Sequence, residues 1–152
     1  MSKPQNLEAK RALKAFTFAE IGNKKQKDTK NKFNYSAAVQ ELPSMIRMNG
    51  LRATMAFFYS KKGQHLEVFE NVRDWFNDDD EPTKFMRAKL QASPENIKPD
   101  GFMKVLLELT DDEYRIVQAE TFTLANWMIR FVKTEKSTSP QSNSTPDDTA
   151  QP

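Results

Sequence analysis

Apolar residues in this chain recur every three to four positions, and no run alternates apolar with polar for long enough to argue for a strand, so the pattern predicts an all-α fold. About six or seven helices follow, packed as a single compact bundle over residues 1–136, with a disordered tail over residues 137–152. A first helix is expected from about Gln5 to Ile21, with Ala9, Ala12, Leu13, Phe16 and Ala19 on its core face. Leu7, Phe18 and Ile21 lie opposite, interleaved with Lys10, Arg11 and Lys14. They form a second stripe, either buried under a neighbouring helix or left as an interface. From Asn23 to Lys32 the pattern stops and Lys24, Lys25, Lys27, Lys30 and Lys32 accumulate, which predicts a mobile basic loop. A short helix from about Phe33 to Leu42 then turns Tyr35, Val39 and Leu42 inward.

The most informative segment runs from Leu42 to Lys62, LPSMIRMNGLRATMAFFYSKK. Pro43 suits the first position of a helix, where its missing N–H costs nothing, and Gly63 suits the residue just past the end. Ile46, Asn49, Ala53, Ala56 and Phe57 fall on one face and Leu51, Thr54, Met55 and Phe58 on another, so both faces are expected to be buried. Gly50 in the interior costs roughly 1 kcal/mol relative to Ala, which predicts a backbone or ligand approaching closely there.

Beyond Gly63, Leu66, Val68, Phe69, Val72, Trp75 and Phe76 make the apolar side of a fourth helix whose outer face is acidic through Glu67, Glu70 and Asp74. The run Asp78-Asp79-Asp80-Glu81 that follows is no calcium loop, because adjacent loop carboxylates rarely converge and no glycine shapes the turn. Two short helices are expected around Phe85, Met86 and Leu90 and around Phe102, Val105, Leu106 and Leu109. Turns at Ser93-Pro94 and Lys98-Pro99-Asp100-Gly101 separate them. Thr110-Asp111-Asp112-Glu113 reads as a capping box, so this carboxylate cluster has a structural explanation rather than a catalytic one. It opens a last helix, about Asp111 to Thr134, that buries Tyr114, Val117, Leu124, Met128 and Phe131, with Trp127 alongside and Arg115, Arg130 and Lys133 on the far side.

Composition narrows the chemistry. The chain has no cysteine, which removes disulfide and thiolate chemistry, and its lone histidine, His65, cannot build a zinc site of the usual kind. His65 also lacks a clear partner for general-base work, so an exposed or capping side chain is expected. No Gly-rich phosphate loop, nucleophile elbow or His-acid-Ser arrangement occurs, and a binding or scaffolding role without cofactor is favoured over an enzyme. No apolar run approaches the roughly 20 residues of a membrane span, and the amino terminus lacks a signal-peptide core; a cytoplasmic protein is expected. The net charge of +2 conceals a polarity: residues 1–65 hold 13 Lys and Arg against 4 Asp and Glu, and residues 66–152 hold 10 against 17. A basic surface that attracts phosphates, with an acidic one that meets a basic neighbour or a second copy, accounts for the split. So do two solvated faces of opposite sign.

The Leu42–Lys62 stretch, with its Pro-x-Met-Ile-x-x-Asn-Gly-Leu and following Ala-Phe-Phe, resembles the Cmr small-subunit family, the all-helical small subunit of type III-B CRISPR effector complexes. Tyr114-Arg115 through Glu120 to Trp127-Met128-Ile129-Arg130-Phe131 is similar to that family's last helix, and the resemblance spans about Gln5 to Lys136. It implies a non-catalytic subunit that stacks with copies of itself beside the backbone subunits, near the large subunit. Guide RNA and target RNA would be contacted through their phosphate backbones, because base pairing already reads the sequence. On that view Lys14, Lys24, Lys25, Arg47, Arg52, Lys61 and Lys62 are expected to meet target-strand phosphates, with Arg130 and Lys133 behind them. A helical DNA-binding regulator would need polar base-reading side chains where the Pro43 helix has apolar ones. A helical adaptor protein would share the same composition.

Overall fold

The computed structural model describes residues 6–29 and 32–133. Lys30 and the tail of residues 137–152 lie outside them. Among the described residues seven α-helices follow one another: α1 (Leu7–Thr29), α2 (Tyr35–Asn49), α3 (Leu51–Ser60), α4 (Gln64–Phe76), α5 (Phe85–Gln91), α6 (Pro99–Leu107) and α7 (Asp111–Phe131), with a 3-10 turn at Pro94–Ile97. No strand occurs among the described residues, and the fold is all-α as expected. The long α7 packs on both α1 and α2, α2 to α4 pack on one another, and α6 closes over α3. Trp75, Tyr35, Phe58, Phe69, Phe76 and Phe102 fill the shared core, each fully buried or within 1% of it, and each such ring contributes about 1.5–3 kcal/mol on burial.

Helix α1 departs from expectation in length and in rotation. It continues through the predicted basic loop to Thr29, where Asn23 and Gln26 bond inward while Lys24, Lys25 and Lys27 stay exposed. Asn23 Nδ2 donates to the Phe131 carbonyl at 3.2 Å, and its Oδ1 accepts from Lys133 N at 3.1 Å. The buried Gln26 accepts from Ser36 N at 2.9 Å and donates to the Lys133 carbonyl at 3.1 Å. Just before them, Gly22 lets the ring of Tyr35 lie directly on the helix backbone. The buried face is Ala15, Phe18, Ala19, Gly22 and Gln26, so Leu13 and Phe16, assigned to the core from their spacing, are exposed together with Ile21. Phe18, assigned to the outer stripe, is buried.

The Pro43 helix is also resolved differently. Pro43 lies inside α2 and is buried, and the break falls at Gly50, whose φ of 85° leaves the helical region. Pro in a helix interior costs about 3 kcal/mol, offset here by the burial of Val39, Leu42, Pro43 and Ile46. The N–H groups freed at the break are taken up by α7: Leu51 N donates to Gln118 Oε1 at 2.8 Å and Arg52 N to the Tyr114 hydroxyl at 3.2 Å. The close approach expected at Gly50 is that hydroxyl, 3.1 Å from where a Cβ would sit; it is a side chain, not a backbone or ligand. Gly63 caps the start of α4 rather than the end of α3. Leu51, Thr54, Met55 and Phe58 are buried, whereas Asn49, Ala53, Ala56 and Phe57 of the other face are exposed. Pro99 and Gly101, expected in a turn, belong to the first turn of α6.

Candidate nucleic-acid interface

Whether a cation can meet a phosphate depends on whether a carboxylate already holds it. Lys14 donates to Asp78 Oδ1 at 3.0 Å and lies 5.6 Å from the Phe18 ring, and Lys10 sits 3.5 Å from Asp80. These contacts use the acidic run after α4. Glu81, fully buried, accepts from Thr83 N, Thr83 Oγ1 and Arg87 N and so caps α5. Burial raises the pKa of Asp78, but the Asp80 backbone N–H and Lys14 outweigh it and hold the carboxyl below its ordinary value. The cleft between α1 and this loop, about 290 Å³ and lined by Lys10, Lys14, Asp78 and Asp80, is therefore of mixed sign.

Lys25 donates to Glu67 at 2.7 Å, and that carboxylate is 16% exposed. Lys24 makes a loose pair with Asp28 at 3.8 Å, both largely in solvent, a contact worth little. Arg52 turns inward: its Nε donates to the Leu106 carbonyl at 3.0 Å, its Nη2 to the Leu109 carbonyl at 2.7 Å, and its guanidinium lies 4.2 Å from the Tyr114 ring centroid. It thereby closes the carboxyl-terminal end of α6, where carbonyls lack helical partners.

The other five predicted cations meet no carboxylate among the described residues, and they fall in two places. Lys61 and Lys62 occupy the exposed turn between α3 and α4, with Lys61 Nζ 5.0 Å from the Phe57 ring. Arg47, Arg130 and Lys133 belong to the α7 side: Arg47 lies over Phe122 at 5.1 Å, Arg130 over Trp127 at 5.5 Å, and Lys133 follows α7. The structure thus does not gather the nine cations into one patch.

Sequence reasoning missed the group that holds α7 in place. Glu120, 6% exposed, accepts from Arg11 Nε at 2.7 Å, Arg11 Nη2 at 2.5 Å and Trp75 Nε1 at 2.8 Å, joining α1, α4 and α7 at one carboxylate. The Glu120 hydrogen bond raises the pKa of Arg11. Its signal in the sequence is its isolation, since Tyr114 to Lys133 contains no other carboxylate. His65 is also not the exposed or capping residue expected. Its ring meets those of Phe57 and Phe58 edge-on at 5.5 and 4.9 Å, and its Nε2 lies 3.0 Å from Glu41.

Among the described residues no helix is long and apolar enough to cross a membrane, and no cluster of three or more potential ligands stands ready for a metal ion. No solved structure matches the chain. The family model described as CRISPR-associated protein (Cas_Cmr5) matches residues 7–135, from the first residue of α1 to just beyond α7. With all seven helices inside that match, the chain belongs to the Cas_Cmr5 family, the small subunits of the Cmr complexes of type III-B CRISPR defence, and associates with other subunits of that complex.

Proposed function

We propose that this chain is a non-catalytic subunit that stacks beside the backbone subunits of the Cmr complex and helps hold target RNA paired with guide RNA. The observation that carries this reading is that five of the nine candidate cations, Arg47, Lys61, Lys62, Arg130 and Lys133, are exposed and meet no carboxylate among the described residues. A chain in which Lys14 is committed to Asp78, Lys25 to Glu67 and Arg52 to the end of α6 makes a narrower phosphate surface than its charge suggests. Contacts of this kind are insensitive to base identity and fall steeply with salt.

Stacking between sister copies belongs to the same proposal. Of the acidic face of α4, a candidate for meeting a basic neighbour, Glu67 and Asp74 are engaged by Lys25 and Arg73, and Glu70 meets no cation among the described residues. The exposed Leu13, Ile21, Leu107 and Ile116 offer apolar surface for such contacts as well.

Charge reversal tests the RNA reading. A variant combining Arg47→Glu, Lys61→Glu and Lys62→Glu, assembled into the complex, should bind target RNA more weakly, with a shallower dependence of log affinity on log salt by about 0.7–0.9 for each phosphate no longer neutralised. Unchanged affinity and slope, with assembly intact, would sink the proposal.

A further inference from the structure

At the carboxyl-terminal end of α7 three rings and a guanidinium are arranged in series. Phe16 of α1, 45% exposed, meets Phe131 edge-on with centroids 5.4 Å apart. Phe131 lies nearly parallel to Trp127, 15° between planes and 6.1 Å between centroids, and the exposed Arg130 lies 5.5 Å from the Trp127 ring. Phe16 faces solvent, and Arg130 has no acidic partner among the described residues.

The charge around this ladder has one sign along α7. Glu120 is the sole carboxylate between Tyr114 and Lys133, and it is buried under Arg11 and Trp75. Between Tyr114 and Lys133 the outer side therefore presents Thr123, Asn126, Arg130 and Lys133 with no exposed carboxylate among the described residues. On α1 the exposed Glu20 follows Phe16 by one turn, which directs a polyanion along α7 rather than across α1.

Flat apolar rings with bound cations and no competing anion suit a polyanion that also carries accessible aromatic faces, which is a single strand rather than a duplex. We propose that the Arg130–Trp127–Phe131–Phe16 ladder is a stacking platform for an unpaired base of RNA, with Lys133 and Arg130 holding the adjoining phosphates. The inference rests on the RNA-holding reading above and adds to it a contact with the base itself.

The test uses the full chain and two labelled probes of equal charge: an oligouridylate of about 12 nucleotides and an abasic ribose-phosphate strand of the same length, each titrated at low salt by fluorescence anisotropy. The unaltered chain should bind the oligouridylate about tenfold more tightly, the scale of one stacked base. Trp127→Leu should reduce that ratio to about one while keeping the salt slope. So should Arg130→Lys, which keeps the charge and removes the plane and whose exposed position spares the core. Equal affinity of the unaltered chain for both probes, with a normal salt slope, would overturn stacking and leave phosphate binding standing. Failure to bind either probe would overturn both. A ratio of one for the unaltered chain, together with exclusion of the Trp127→Leu protein from the complex, would make this face a protein contact and overturn the platform.

Discussion

Replacing Glu120 by Ala tests the packing of α7 most directly. The substitution removes one partner of a largely desolvated ion pair, which in buried settings costs about 3–5 kcal/mol. It also leaves Trp75 Nε1, on a side chain 1% exposed, without its acceptor, at about 1–3 kcal/mol. Arg11 retains 18% side-chain exposure and can recover some water, so the sum should lie toward the lower end, about 4 kcal/mol. Against a total stability of about 5–15 kcal/mol, that is a large fraction, and the urea midpoint of the full chain should fall accordingly. Glu120→Gln keeps one acceptor and should cost about half as much. The double variant Arg11→Met with Glu120→Leu removes both charges and should lose only about 1–3 kcal/mol, the cost of the orphaned indole N–H. A loss below about 1 kcal/mol for Glu120→Ala, or a double variant as damaged as the single one, would refute the view that an uncompensated charge dominates.

Three further outcomes follow from local geometry. Gly22→Ala, which would add about 1 kcal/mol in an unobstructed helix, should instead destabilise the chain by about 1–3 kcal/mol, because the new Cβ would sit 2.5 Å from Tyr35 Cγ and closer to Cδ2 and Cε2; a raised melting temperature would contradict this. Arg52→Lys should lower stability by about 1–3 kcal/mol by uncapping α6, with no change in the salt slope of RNA binding, both readable on one purified variant. Asp78 has a depressed pKa in the folded chain, so the unfolded chain takes up the proton first as pH falls. Its stabilisation is present in full well above the unfolded value of about 3.9 and disappears as pH passes through the folded value. Asp78→Asn should therefore be less stable than the unaltered chain at neutral pH and indistinguishable from it in acid; a constant deficit across urea titrations would exclude the linkage.

What the sequence revealed was local. The capping box at Thr110 and Glu113 needs residues three apart, and both of its hydrogen bonds are present. The apolar side of α4 needs only its own period, and Val68, Phe69, Val72, Trp75 and Phe76 are all buried. What it concealed was set by partners far along the chain. Asn23 and Gln26 look like loop residues until the backbone at Phe131 and Lys133, more than a hundred positions away, supplies their hydrogen bonds. Pro43 and Gly50 are both helix breakers, and the choice between them rests on Gln118 and Tyr114 of α7, which accept the N–H groups released at Gly50. The candidate cations follow the same rule. Side-chain type identifies Lys14 and Arg47 as positive, but the loop after α4 neutralises the first, whereas the second rests over Phe122.

The grip of Asn23 and Gln26 on the backbone from Phe131 to Lys133 bears on how the end of α7 can behave. Final turns of helices ordinarily fray, since their last carbonyls have no helical partner. Here that terminus is stapled to a neighbouring helix at three points, so its backbone is held in place before any ligand arrives. Association at this end then forfeits little conformational entropy, and preorganisation of that kind lengthens a complex's lifetime more than it speeds its formation.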